Sequence, residues 1–156
     1  MVLCMQRRMW IVMLVIGAVF AVPSAISGEW RFALTYAAFC LTAAWWMHPM
    51  QGGRTVKHAE VMARPEAERG VVVYWRPGCI YSARLKGRLG RLRKQVTWVN
   101  IWQDEGAAAY VESVNHGDQL VPTVVINGVP HANPDAEMVR RIVAGEPEPE
   151  VELRDD

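Results

Sequence analysis

Polar and apolar positions change rhythm twice along this chain of 156 residues. Met9 to Ser27 is an apolar run without a formal charge, and Phe32 to Met47 is a second. Neither run has the polar face of a helix packed on a soluble domain. A bilayer core takes about 20 helical residues. The first run supplies that length, and Trp30 and Arg31 extend the second toward it. Arg31 can snorkel to the headgroups, Trp45 and Trp46 fall where an interfacial aromatic belt belongs, and Pro23 can kink a membrane helix without breaking it. Pro49, Gly52 and Gly53 close the second helix. The pattern predicts a membrane anchor over residues 1–50, a two-helix transmembrane hairpin with helices at about 9–27 and 30–48. Two alternatives are a pair of buried core helices and a cleaved signal peptide at 1–27 followed by one anchor.

Residues 51–69 mix glycine, charge and one proline and read as a linker, with a short helix possible from Thr55 to Met62. From 70 to 145 the pattern sharpens into a second domain. Val71 to Trp75 is a β-branched and aromatic run, as in a strand buried on both faces. Arg76-Pro77-Gly78 is a turn signal. From Cys79 the period becomes helical, with Leu85, Leu89 and Leu92 on one face. Val96 to Ile101 is a second strand. Asp104 caps a helix whose stripe is Ala107, Tyr110, Val111 and Val114. Val124 to Ile126 is a third strand, and Asn127-Gly128 turns into a short fourth. Asn133 reads as the cap of the last helix, with Pro134 at its first position. Gly145 stops that helix, and residues 146–156 read as an acidic tail. The order β-α-β-α-β-β-α makes the first two strands parallel.

Composition matters once it is divided the same way. The mean hydropathy is +0.03 and the net charge +1. Yet of all the Lys, Arg, Asp and Glu residues, only Arg7, Arg8, Glu29 and Arg31 lie in the first fifty positions. Arg7 and Arg8 precede the first run, and Arg54, Lys57 and Arg64 follow the second. The positive-inside rule then makes the chain a multi-pass protein of the cell membrane with the C-terminal domain cytoplasmic. The cations of 84–94 read as a solvated helix face that can also meet lipid headgroups. Without an overall basic excess, no nucleic-acid partner is expected. The histidines are too scattered for a metal site, and three cysteines are too few for a disulfide scaffold. Trp98 and Trp102 read as packing residues, and Cys4 and Cys40 belong to the anchor.

Cys79 carries the candidate chemistry. It falls in the first turn of a helix, where unpaired N–H groups and the dipole favour a thiolate. The dipole alone is too weak, so a neighbouring cation must help: Arg76, or Arg84 if it curls back.

The segment Tyr74-Trp75-Arg76-Pro77-Gly78-Cys79-Ile80-Tyr81-Ser82-Ala83-Arg84-Leu85-Lys86 resembles the active-site segment of glutaredoxins, and Val121-Pro122-Thr123-Val124 resembles their cis-proline loop. Asn100 to Asp104, Ser113 to Gly117 and Ala132-Asn133-Pro134 are similar to the actinobacterial branch, the mycoredoxins. The resemblance covers residues 71–144 and implies an α/β thioredoxin-like fold. It also implies a thiol–disulfide oxidoreductase of redox homeostasis, with Cys79 and Ser82 as the catalytic pair. Arg76, Tyr81, Val121, Pro122 and Thr123 would contact the thiol cosubstrate and the protein substrate, and the Val121–Pro122 bond would be cis. Two positions depart from the family pattern. Ser82 stands where a second cysteine is usual, which leaves one-thiol chemistry, and Ile80 stands where proline or glycine is common. Ser82 is expected to donate a hydrogen bond to the sulfur. The Gly-Gly-x-Asp stretch by which many glutaredoxins hold glutathione is replaced by Val129-Pro130-His131-Ala132-Asn133. Mycothiol is therefore expected rather than glutathione, with S-thiolated proteins as substrates. One-thiol relatives that hold a [2Fe–2S] cluster suggest an alternative, and a non-catalytic membrane-tethered binding module is another.

Overall fold

A computed structural model of the chain describes residues 8–146. Cys4, Arg7 and the acidic tail beyond Glu146 lie outside them. The chain divides into two compact units between Arg54 and Thr55.

The first unit holds helices α1 (Met9–Ile26) and α2 (Trp30–Trp46). They meet through small side chains: Gly17 is the buried residue of α1, and Ala33, Cys40 and Ala44 are those of α2. A Cβ added at Gly17 would come 2.7 Å from the Cβ of Cys40. Larger residues such as Val19, Phe20, Phe39 and Trp45 are exposed instead. Among the described residues, α1 alone is long and apolar enough to cross a membrane. The 17 residues of α2 rise about 25 Å, less than the hydrocarbon core of a bilayer. The lengths therefore give one candidate span, where the sequence predicted a hairpin of two.

The second unit runs through α3 (His58–Met62), α4 (Glu66–Arg69), β1 (Val72–Trp75), α5 (Ile80–Leu89), a 3₁₀ turn (Gly90–Lys94) and β2 (Thr97–Asn100). It continues through α6 (Glu105–Val114), β3 (Thr123–Ile126), β4 (Val129–Ala132) and α7 (Ala136–Ala144). The four strands form one sheet in the order β2-β1-β3-β4. β1 is parallel to β2 and antiparallel to β3, which pairs antiparallel with β4. This mixed sheet is the thioredoxin-like arrangement.

Every residue of β1 and β3 is buried, because both faces of the sheet are covered. Side chains alternate across a strand, so Val72 and Tyr74 join one core cluster with Val99, Val111 and Val61. Val73 joins the other, with Leu85, Leu89, Val124 and Val139. The leucine stripe of α5 continues past its end. Gly90, at φ 51°, stops the helix after Leu89, and the 3₁₀ turn then brings Leu92 to the second cluster.

Residues 55–69, expected to be a tether, are part of this unit. Val61 is fully buried in its core. The Thr55 hydroxyl accepts from the Asn100 amide at 2.8 Å and donates to the Trp98 carbonyl at 3.2 Å. Both bonds lie on β2, the sheet edge, where unpaired backbone groups need partners. Lys57 donates to the Gln103 carbonyl at 2.6 Å. The His58 amide donates to Asp104 Oδ2 at 2.6 Å, while Asp104 Oδ1 caps α6 through Gly106 N at 3.0 Å. One carboxylate thus fastens the N-terminal segment and starts a helix.

The start of α7 also differs from expectation. Its cap is Asp135, whose Oδ1 accepts from Glu137 N at 2.9 Å and Met138 N at 3.0 Å. Asn133 takes a left-handed φ of 44° two residues earlier, a conformation asparagine tolerates better than most residues.

Candidate functional site

β1 ends at Trp75, and Pro77-Gly78 turns the chain into α5, with Gly78 at φ 73°. Cys79 follows as the N-cap of α5. The cysteine therefore stands where the first-turn amides of a helix lack intrahelical partners, although its sulfur makes no capping bond to them. Cys79 is half-buried, and its Sγ donates to the Val121 carbonyl at 3.3 Å. The Val121–Pro122 peptide is cis, as the resemblance implies.

Ser82 is buried one turn into α5, and its Oγ has no hydrogen-bond partner. The bond from Ser82 to the sulfur is therefore not formed here; the thiol is turned to Val121 instead. Thr123, expected to meet the cosubstrate, is fully buried. Its hydroxyl donates to the Leu120 carbonyl at 2.8 Å and accepts from Asn115 Nδ2 at 3.0 Å. That side chain holds the loop in place. Arg76 is half-buried between β1 and the turn.

Tyr81 and Pro122 open onto a cleft of about 230 Å³. Arg84 and Arg88 from α5 line it, facing Asn133, Pro134, Asp135 and Glu137 at the start of α7. Cations on one wall and carboxylates on the other offer donors and acceptors to a polar ligand. The sequence offers Arg84 only as an alternative to Arg76 beside the sulfur and reads Arg88 as part of a solvated face; the structure turns both to this cleft. The sequence does not point to Asp135 and Glu137 as cleft residues, because Ala132-Asn133-Pro134 reads only as a helix start. The αα contact that brings α5 and α7 together is set by Leu85, Leu89 and Val139, not by local pattern.

Bonds from the Met138 and Glu137 amides hold the Asp135 carboxyl below its usual range, with Arg84 and Arg141 adding to the effect. Lys86, one residue of the basic run, is turned inward. Its Nζ lies 2.8 Å from the Trp75 ring centroid and 5.0 Å from that of Trp98. Burial, with help from Arg93, lowers its amine to about 8. On the opposite face of the sheet His58 Nδ1 lies 2.8 Å from the Tyr74 hydroxyl, and the His58 ring stacks on Tyr110. Burial lowers His58, and the Asp104 charge opposes it only in part. Burial raises both tyrosines. Among the described residues no cluster of His, Cys, Asp or Glu could hold a metal ion.

A thioredoxin-like sheet with a single cysteine at the start of α5, beside a cis-proline loop, is the arrangement of a thiol-exchange domain. Residues 71–131 match the Glutaredoxin family, so this domain is glutaredoxin-like. Such domains carry out thiol–disulfide oxidoreduction with a low-molecular-weight thiol and protein substrates. No curated protein matches the chain.

Proposed function

We propose that this chain is a membrane-anchored, one-thiol oxidoreductase of the mycoredoxin type, which reduces mixed disulfides between proteins and mycothiol. The observation that carries the reading is Cys79 itself. It is the only cysteine of the second unit, at the N-cap position of α5 and two residues before Tyr81, which lines the polar cleft.

In the reaction, the Cys79 thiolate attacks the mycothiol sulfur of a protein–mycothiol disulfide. A Cys79–mycothiol bond forms as the old disulfide breaks, and the protein leaves as a thiolate that takes up a proton. A second mycothiol thiolate then attacks the adduct, releasing oxidised mycothiol and restoring Cys79. The one free mycothiol is the reductant: its sulfur is oxidised to the disulfide level as the protein sulfur returns to a thiol, and the mycothiol already in the mixed disulfide stays at the disulfide level. The Ser82 hydroxyl, unpartnered in the first turn, is the donor assigned to the thiolate. Tyr81, Val121 and Pro122 bound the exchange point, and Arg76 contributes positive charge nearby.

Mycothiol rather than glutathione is supported by the cleft. A free amino-acid end brings a carboxylate, for which open helix amides are the usual receptor. At α7 two of those amides are already taken by Asp135, whose own charge repels a second carboxylate. An uncharged polyol finds donors in Arg84 and Arg88 and acceptors in Asp135 and Glu137. Membrane anchoring rests on α1 as the first crossing and on the shorter α2 as the second; with both apolar segments crossing, Arg8 before them and Arg54, Lys57 and Arg64 after them favour a cytoplasmic domain.

Mass spectrometry of the detergent-purified chain tests the chemistry. Exposure to oxidised mycothiol should leave one mycothiol on Cys79, removable by free thiol, and Cys79→Ser should take up none. An equal or faster reaction with oxidised glutathione would overturn the choice of cosubstrate. Visible absorption from a cluster after anaerobic purification would favour the [2Fe–2S] reading. Labelling of Cys79 by an impermeant maleimide in intact cells would overturn the orientation.

A further inference from the structure

Large apolar side chains are unevenly placed on the second unit. Among the described residues from 55 onward, those exposed are Ile80, Tyr81, Leu120, Val129 and Ile142. Three of these five lie on the two segments that the thiol joins: Ile80 and Tyr81 follow Cys79, and Leu120 precedes Val121. Ile80 follows Cys79 directly and is 74% exposed, while Leu120 is 48% exposed and precedes the residue whose carbonyl receives the thiol. Burial would favour each of them strongly, and nothing among the described residues of the second unit covers them. Exposed apolar surface gathered at one spot marks a place where a partner docks.

The rim is held in position. Ile80 is the first residue of α5, whose first turn is closed by the Ala83 amide bonding the Cys79 carbonyl at 3.0 Å. The Leu120 carbonyl is fixed by the Thr123 hydroxyl, itself held by buried Asn115. Neither Ile80 nor Leu120 lines the polar cleft, which is bounded by Arg84, Arg88, Asn133, Asp135 and Glu137. The site therefore has two chemically different halves, which adjoin where Tyr81 and Pro122 of the cleft neighbour Ile80 and Val121 in the chain. A mixed disulfide also has two halves, a small polar thiol and a peptide.

We propose that Ile80 and Leu120 form a protein-side subsite that selects thiolated cysteines flanked by bulky apolar residues in an extended segment. The inference rests on the thiol-exchange reading of Cys79 and adds the class of protein substrate to it. The small thiol takes the polar cleft, and the leaving peptide lies across the apolar rim. The side chains flanking its cysteine meet Ile80 and Leu120. The bond changes are those of the exchange reaction above, with the peptide thiolate as leaving group.

The test uses the full chain in detergent and two peptides that differ only beside the cysteine, one with leucine on both sides and one with aspartate. Each is thiolated with mycothiol or glutathione, whichever turns over faster. The expected kcat/KM is about tenfold higher for the leucine peptide. The double variant Ile80→Ser, Leu120→Ser should bring the two peptides within about twofold, and Ile80→Val, Leu120→Met should keep the preference. The rate with a mixed disulfide of the same thiol and 2-mercaptoethanol should stay within about twofold in every variant, which also reports that the site is folded. Equal rates for the two peptides with the unaltered chain would overturn the subsite and leave the exchange reading standing. A preference that survives the serine variant would overturn it too. A change in oligomeric state with no change in preference would reassign the rim to a second copy of this chain. Absence of Cys79-dependent turnover on any disulfide would overturn both readings together.

Discussion

The Cys79 thiol donates to the Val121 carbonyl at 3.3 Å, and the nearby Ser82 hydroxyl is buried with no partner at all. A buried unpaired hydroxyl destabilises a fold by about 1–3 kcal/mol. If it is kept for the thiolate, removing it should have opposite effects on stability and on rate. Ser82→Ala is expected to raise Tm by several degrees, corresponding to about 1 kcal/mol. It should also lower kcat/KM for disulfide exchange about tenfold, the worth of one hydrogen bond to a charged group. Thermal denaturation and steady-state rates measure the two. A variant that is both less stable and equally active would show that the hydroxyl serves the fold.

Val61 is fully buried although it belongs to a segment rich in charge. Val61→Ala should cost about 2 kcal/mol, as for other core truncations. Asp104→Ala should cost about 1–2 kcal/mol through its lost helix cap, and it also frees the His58 amide. Urea unfolding of the purified unit beginning at residue 55 would give both values. A change below about 0.5 kcal/mol at Val61 would mean that the segment is only laid on the surface.

His58 faces the Tyr74 hydroxyl, the Tyr110 ring and the Asp104 carboxylate. Burial lowers its pKa below the ordinary 6.5. The unfolded chain therefore binds this proton first as pH falls below 6.5. Stability is complete above that value and declines toward the lower folded one. Tm should fall between pH 7.5 and 5.5, and His58→Gln, which keeps an acceptor for Tyr74, should make the fall shallower. Parallel curves for the two proteins would remove His58 from the account.

Lys86 gives the opposite end of the pH range. Its amine is lowered from 10.5 to about 8 by burial and then by Arg93. Between those values the folded chain holds fewer protons than the unfolded chain, so stability should rise with pH across that window. Lys86→Met keeps the packing on Trp75 and Trp98 and should flatten the rise. Titration of the ¹³C-dimethylated lysine by NMR should show one amine near 8. A Lys86 signal titrating at 10.5 would contradict the buried placement.

Most of the second unit was legible because its elements are locally specified. The Val71–Trp75 run, the Asp104 cap and the Asn127-Gly128 turn each carry their own signal, and the parallel pairing of β1 with β2 followed from their order. The candidate nucleophile was also legible, since a lone cysteine after a Pro-Gly turn has a recognisable local chemistry. What could not be read depends on contacts between distant positions. Val56, Val61 and Met62 are too sparse among charges to show a period, and their burial is decided by β2 and α6. Lys86 looked like its neighbours in the basic run until two tryptophans from different strands were placed beneath it. Asn133 and Asp135 are both good capping residues, and only the left-handed turn at Asn133 passes the role to Asp135. The cleft needed α5 and α7 to be packed before its two walls could face each other.

The position of Ser82 has a consequence for what the domain can sense. An internal disulfide forms with release of two small thiols, so its occupancy depends on the square of their concentration. A domain whose only cysteine is Cys79 releases one thiol when it takes up an adduct. Its occupancy then follows the simple ratio of oxidised to reduced thiol. Dilution or growth of the whole thiol pool leaves that ratio unchanged. Under the proposed one-thiol exchange, the domain would be a gauge of redox balance, blind to how much thiol the cell contains.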